Sequence, residues 1–343
     1  MEKIKAAIIG LGRIASILEE DTLREKPCTH SGAIAANEDC VLVCGCDIDE
    51  ERRSLFAKKW LVNVYEDADE MLMRHKPEIL SIATHPDSHY HYCRLAAKYN
   101  IPAVICEKPL ADNIHNARKI AKIAEKGNTI IITNHERRYS LDYIRAKAVL
   151  EEKKLGEILR VHACLYMGKT ARLIDQFWHD GTHLADAVMF LTEGVLKHRR
   201  AWGAKLTAKD GTAWLEGVLC LNSQSAQQSK HSTRPCGKKI PVLFETGAGR
   251  DHLVFEIEFS LEKGRLRIGN GVFEVWESVP SPYAEKFRSL KQTSETFSCP
   301  TGYFANMIKD AVLCVRDKSH KPVSGAVDGL RVIEYLNSVK SWR

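Results

Sequence analysis

The chain has 343 residues, 44% of them hydrophobic and 27% charged. These values exclude a disordered or collagen-like polymer, and the length exceeds the size at which one core keeps growing, so two domains are expected. The excess of 50 basic over 44 acidic residues is spread in pairs such as Lys153-Lys154, Arg199-Arg200 and Lys238-Lys239, which gives no support to a nucleic-acid or membrane-binding surface.

The first residues, 1–12, carry an apolar run that Arg13 and a glycine turn interrupt, so they read as a first strand and not as a signal peptide. The longest uncharged stretch, residues 217–229, is half polar and shorter than the roughly 20 apolar residues of a membrane span. Eleven cysteines form no CxxC pair and no zinc framework, and several, including Cys44, Cys106 and Cys220, lie in apolar runs. A soluble protein of the reducing cytoplasm is expected.

From the start to about residue 133, short apolar runs alternate with helical patterns, which predicts βαβ units around a parallel, doubly wound sheet in an α/β fold. Strands are expected at 6–9, 41–46, 79–83, 103–106 and 129–133. Helices are expected at 87–99 and 113–126, with Asp87 and Asn113 as N-caps and Gly127 as a stop. After Leu155-Gly156 the pattern becomes alternating, with strands expected at 157–167, 200–206, 213–222, 254–259, 265–268 and 272–276 and turns at Gly264 and Asn270-Gly271. Residues 223–239, rich in Ser, Gln and Lys, read as a mobile loop without chemistry. Helices at 303–315 and 328–339 close the chain. The expected domains are a doubly wound parallel-sheet domain, 1–133, and an α+β domain, 134–343, built on a large, mostly antiparallel open sheet. The C-terminal helix is a candidate to pack back on the first domain.

The first strand ends in Gly10-Leu-Gly12-Arg13-Ile14-Ala15, a GxGxxA pattern. Gly10 permits the tight turn, Gly12 lets a pyrophosphate approach the backbone, and Ala15 lets the following helix pack closely on the sheet. The amides at that helix start would then face the diphosphate. Asp47, directly after the second strand, can accept the ribose hydroxyls and repel a 2′-phosphate, which favours NAD over NADP; Arg52 and Arg53 nearby keep NADP open. The spacing from Gly12 to Asp47 exceeds the usual ~20 residues, so residues 19–30 are read as an insertion.

Two later segments carry further chemistry: Thr84-His85-Pro86 with His89, followed one helix later by Glu107-Lys108-Pro109, and Trp178-His179-Asp180-Gly181-Thr182-His183. Together with GxGxxA these resemble the Gfo/Idh/MocA family of oxidoreductases, which includes glucose-fructose oxidoreductase and inositol dehydrogenase. The resemblance implies a Rossmann domain followed by an α/β domain whose sheet covers the nicotinamide, and oxidation of a sugar or cyclitol hydroxyl. It places Thr84, His85, Pro86 and His89 beside the nicotinamide ribose, matches Glu107 and Lys108 to the GluLysPro motif, and matches His183 to the catalytic histidine.

The chemistry suits these residue types. Hydride loss from a carbinol carbon develops alkoxide-like charge that an ammonium such as Lys108 stabilises, and an imidazole such as His183 can take the proton. The family places an aspartate four residues before the histidine, where this chain has His179, with Asp180 one place later. Either residue could tune His183. Arg137, Arg138, Arg172 and Trp178 are candidates for lining a pocket or for packing and ion pairing.

Two other readings stand beside the dehydrogenase. His179 with His183, and His85 with His89, have a spacing that can present two imidazoles to zinc for a hydrolase, although Gly181 and Thr182 weaken a helix there. A non-catalytic NAD-binding sensor or assembly protein is the third, motivated by His179. The expected partners are a small polyhydroxylated substrate and further copies of the chain in a homodimer or homotetramer.

Overall fold

The computed structural model describes residues 2–169, 172–222, 236–293 and 300–340. These form two compact units, Met1–Leu141 with Pro300–Ile333, and Asp142–Cys299 with Glu334–Arg343.

The first unit runs β1 (Ile4–Ile9), α1 (His30–Ala35), β2 (Cys40–Cys46), α2 (Glu50–Trp60), β3 (Asn63–Tyr65), α3 (Ala68–His75), β4 (Ile79–Ile82), α4 (His89–Lys98), β5 (Ala103–Cys106), α5 (Ile114–Lys126) and β6 (Ile130–Thr133). Its six strands are all parallel, in the order β3-β2-β1-β4-β5-β6. The order reverses between β1 and β4, and a crevice at the carboxyl ends of those strands is where such sheets bind ligands. β3 was not expected, since three residues are too few for a periodic signal. Side-chain caps start four helices: Thr29, Asp49, Asp67 and Asn113 accept the amides of Gly32, Arg52, Glu70 and Asn116. Gly127 ends α5 as expected. α4 departs from expectation: it begins at His89 with Ser88 at its N-cap, not at Asp87. The Ser88 hydroxyl bonds Thr84 Oγ1 and His85 O, holding residues 86–88 in a turn.

The second unit holds α6 (Leu141–Glu151, its first residue in the first unit), β7 (Ile158–Tyr166), α7 (Leu173–His179), α8 (Gly181–Thr192), β8 (Val195–Gly203), β9 (Gly211–Asn222), β10 (Cys236–Ala248), β11 (Val254–Leu261), β12 (Gly264–Gly269), β13 (Val272–Pro280) and β14 (Arg288–Gln292). The eight-stranded sheet has the order β14-β13-β12-β11-β7-β10-β9-β8 and is antiparallel except where β10 lies parallel to β7. Alternate residues such as Phe255, Ile257, Phe259 and Leu261 are buried on one face, against which α7 and α8 pack.

Two expectations in this unit are corrected. The loop placed at 223–239 is shorter, because residues 236–239 belong to β10; residues 223–235 lie outside the described residues. Lys238, Lys239 and Pro241 hid that strand. Pro241 is tolerated because the parallel β7 ladder begins only at Val242. The strand expected at 200–206 is β8, displaced toward the N-terminus, with its alternation masked by Lys197, His198, Arg199 and Arg200.

The chain then returns. α9 (Tyr303–Arg316) buries Phe304, Met307, Ile308, Ala311 and Val312 in the same core as Ile8, Ile34, Ile105 and Ile132. Asp310 ties it down by accepting Tyr139 Oη at 2.8 Å, Val323 N at 3.0 Å and His320 Nε2 at 2.6 Å. The outer edge of β6 is covered by residues 324 and 325: Thr133 N donates to Ser324 O, and Ile132 bridges Gly325. α10 (Ala326–Lys340) supplies residues to both units. Among the described residues no helix is long and apolar enough to cross a membrane. Among the described residues nine cysteines are thiols, and burial pushes Cys40 up to about 11 and Cys44, Cys46 and Cys314 up to about 12.

Candidate active site at the carboxyl ends of the parallel strands

β1 runs into a turn that only glycine can form. Gly10 has φ +86°, and a Cβ there would stand 2.7 Å from Ala83 O and 2.9 Å from Thr84 Cγ2. At Gly12 a Cβ would project into open space, with Arg52 Nη1 at 3.8 Å as its nearest neighbour. No acceptor among the described residues receives the amides of Gly12, Arg13, Ile14 or Ala15. The residues present therefore fit a diphosphate: an open concavity beside four amides that no protein acceptor receives.

The helix expected directly after GxGxxA is interrupted. Residues 12–16 form turns and 17–20 a short 3-10 helix, and α1 starts only at His30. Yet His30 N and Ser31 N donate to Ile14 O and Ala15 O at 3.2 and 3.0 Å. Ala15 O thus receives the amide of residue 31 in place of residue 19. About twelve residues are looped out, and without them Asp47 follows Gly12 at close to the usual ~20-residue spacing. The insertion read at 19–30 is the physical cause.

Asp47, 7% exposed, accepts Leu11 N at 2.7 Å through Oδ2 and Asp49 N at 3.0 Å through Oδ1. Each oxygen keeps a second lone pair. Arg53 is engaged by Asp47 O at 2.8 Å and Glu66 at 3.4 Å, which leaves half-exposed Arg52, 3.8 Å from Asp47, as the cation placed to meet a 2′-phosphate.

Thr84, His85 and Pro86 follow β4 at the same end of the sheet, packed beside Gly10 through Ala83 and Thr84. His89 has a different role from the one expected. Its ring is fully buried, with Nε2 3.1 Å from Thr84 O and Nδ1 3.1 Å from Pro109 O and 3.3 Å from Leu110 O. Burial pushes its pKa down, against the opposing pull of the Thr84, Leu110 and Pro109 carbonyls and of Glu107. It is a positioning residue that staples the β4 turn to the β5 turn, and neither nitrogen is presented to a metal or a ribose.

Glu107 and half-buried Lys108 directly follow β5, and the Lys108–Pro109 peptide is cis. Glu107 Oε1 accepts His30 Nε2 at 2.9 Å and Asn134 Nδ2 at 2.5 Å, while Oε2 accepts the Lys108 amide at 3.2 Å. Burial pushes the Glu107 carboxyl up, but His30, Asn134 and the Lys108 charge together outweigh it and hold the group below its ordinary value. Glu136 lies close enough to feel the charges of Lys108 and Glu107, and burial pushes its carboxyl up. Sequence reasoning missed His30, Asn134 and Glu136, because none belongs to a motif; only strand order brings them to Glu107 and Lys108.

The depressed Glu107 carboxyl stabilises the fold above the unfolded carboxyl's pKa and ceases to do so as pH falls through its lower folded value. Urea unfolding of Glu107→Gln should therefore show a loss of about 1–3 kcal/mol at pH 7 that shrinks at pH 3. A constant difference would mean the charge is not what His30 and Asn134 hold.

In the second unit, His183 is half-buried on the first turn of α8, edge-on to Phe255 at 6.4 Å between centroids. Asp180 sits between α7 and α8 and bonds His179 Nδ1 at 2.8 Å, so its carboxylate is engaged by exposed His179. Gly181 does not weaken a helix; it opens α8, because Phe177 presses within 2.5 Å of where its Cβ would stand. His179 and His183 accordingly belong to separate helices. Of the pocket-lining candidates, Arg138 bonds Val323 O and Asp328 within the first unit, Arg172 pairs with Asp175, and Trp178 is half-buried under Lys340, 5.1 Å away.

A family model described as the oxidoreductase family with an NAD-binding Rossmann fold, GFO_IDH_MocA, matches residues 4–135. Over these residues the chain matches the Gfo/Idh/MocA family. The chain is similar to inositol 2-dehydrogenase of Salmonella paratyphi B, 27% identical over 170 residues, 49% of this chain and 47% of the relative. It is also similar to D-glucoside 3-dehydrogenase of Escherichia coli, 26% identical over 156 residues, 45% of this chain and 41% of the relative. The matched region thus spans less than half the length of these curated relatives. Over 99% of this chain and 95% of the other, the fold resembles a dehydrogenase from Chromobacterium violaceum with TM-score 0.75 at 14% identity, a likeness of fold alone. The α/β class, with a parallel Rossmann sheet and a mostly antiparallel second sheet, is as the sequence implied, and the Gfo/Idh/MocA Rossmann domain is NAD-binding.

Proposed function

We propose that the protein is an NAD-dependent dehydrogenase acting on a secondary hydroxyl of a sugar, cyclitol or related polyol. The observation that carries this reading is the open, amide-lined turn at Gly12, on the same sheet edge as a lysine whose preceding carboxylate is anchored by His30 and Asn134. Relatives of the first domain named inositol 2-dehydrogenase and D-glucoside 3-dehydrogenase support the substrate class.

In this reading the amides of Gly12 to Ala15 hold the diphosphate, Asp47 holds the adenosine ribose, and Thr84, His85 and Pro86 border the nicotinamide ribose. The bound nicotinamide supplies the hydride acceptor. Lys108 orients the substrate oxygen and stabilises its developing negative charge, and His183 takes the hydroxyl proton. His179 and Asp180 act as a bonded pair that orients the turn before His183. The domain architecture proposed is a cofactor domain and a substrate domain, in a homo-oligomer.

The test is NADH formation over a panel of polyols, sugars, cyclitols and dihydrodiols, run beside NAD binding by fluorescence. Turnover on a polyol is the expected result. The engagement of Asp180 by His179 favours a second reading, an NAD-binding sensor, for which binding without turnover on any compound would be the signature. Asp47→Ala should weaken NAD about tenfold or more and NADP less, because the lost carboxylate serves only the 2′-hydroxyl form; equal losses in a fluorescence titration would remove Asp47 from the ribose.

A further inference from the structure

The second sheet brings three metal-ligating side chains together on the face opposite its core. His162 and Cys164 lie two residues apart on β7 and so share a face, and in the parallel ladder Cys164 stands opposite Glu245 of β10. His162 Nε2 is 3.5 Å from Cys164 Sγ and 3.4 Å from Glu245 Oε2, and the three ligand atoms lie within 4.8 Å of one another.

The His162–Cys164 contact is an ordinary hydrogen bond to sulfur, whereas the His162–Glu245 separation is longer than the about 2.7–2.9 Å of a charge-assisted N–H···O bond. Both separations match a shared ion. Tetrahedral bonds of about 2.0–2.1 Å to imidazole, about 2.1 Å to carboxylate and about 2.3 Å to thiolate place nitrogen about 3.6 Å from sulfur and about 3.4 Å from oxygen. We propose that His162, Cys164 and Glu245 form a binding site for one zinc-class divalent cation, with the fourth position open to water.

The donor set fits that class: imidazole and thiolate favour zinc over magnesium or calcium, which prefer all-oxygen sites. With His162 and Glu245 side chains 29% and 16% exposed, an ion has a path from solvent. Binding exchanges the Cys164 thiol proton for the metal. A second cluster, Asp310, Cys314 and His320, is equally compact, but the Asp310 carboxylate is filled by Tyr139, Val323 and His320 and needs no ion. The site is independent of the cofactor reading and would stand or fall apart from it.

The experiment is titration of chelator-stripped, fully reduced whole protein with Co²⁺, followed by optical absorption. One equivalent should produce a thiolate-to-cobalt charge-transfer band and tetrahedral d–d bands, reversed by Zn²⁺. Cys164→Ser should abolish the charge-transfer band, Glu245→Gln should weaken Co²⁺ tenfold or more, and Cys314→Ser should change nothing, with metal-free melting temperatures showing that each variant folds. If Cys164→Ser fails to fold, His162→Gln takes its place and should weaken Co²⁺ likewise. Absence of the band in the parent protein, its survival in Cys164→Ser, undiminished affinity in both His162→Gln and Glu245→Gln, or its loss in Cys314→Ser would each overturn the proposal.

Discussion

Lys108→Ala should lower turnover by about 10²–10⁴-fold while leaving NAD affinity nearly unchanged. The side chain is half-buried at the end of β5, and its backbone is held through Glu107 by His30 and Asn134, so the substitution removes a positioned charge without loosening the turn that carries it. A group whose ammonium matters only as alkoxide character develops should depress kcat and kcat/KM together. Steady-state kinetics on any substrate the panel yields, with NAD titrated by fluorescence, checks both halves. Unchanged turnover would remove Lys108 from the mechanism.

Gly12→Val should abolish detectable NAD binding and leave the melting temperature almost where it was, because the new side chain enters the open concavity, where Arg52 Nη1 at 3.8 Å is the nearest atom. Gly10→Ala should behave oppositely. Its Cβ would collide with Ala83 O at 2.7 Å, at a residue with φ +86°, so the loss is one of folding, about 1–3 kcal/mol or more. Thermal melts paired with NAD titration separate the two. NAD binding retained by Gly12→Val would place the diphosphate elsewhere and with it dismantle the cofactor half of the site.

The sequence exposed the features that depend on neighbours along the chain. GxGxxA, the Asn113 cap, the Gly127 stop and the alternation of Phe255, Ile257 and Phe259 each answer to a local backbone or burial requirement, and the structure contains them. The insertion after Ala15 was legible as an anomalous spacing, but not the way Ser31 N resumes the interrupted helix. Local readings failed where long-range pairing overrides local composition, as in β10 with its lysines and Pro241, or in β8 with its basic run.

By itself the sequence determined the class of each half, the glycine turn after β1 and the motifs that carry Lys108 and His183, because a turn of a given φ, a capped helix or a strand's alternation is settled within a few residues. Only tertiary structure decided that residues 300–333 return to the first core, that His89 binds carbonyls, that His30 meets Glu107, and that Glu245 comes to His162 and Cys164. Those outcomes follow from which strand lies beside which, and strand order is chosen by burying whole faces at once, a property that no short window of residues encodes.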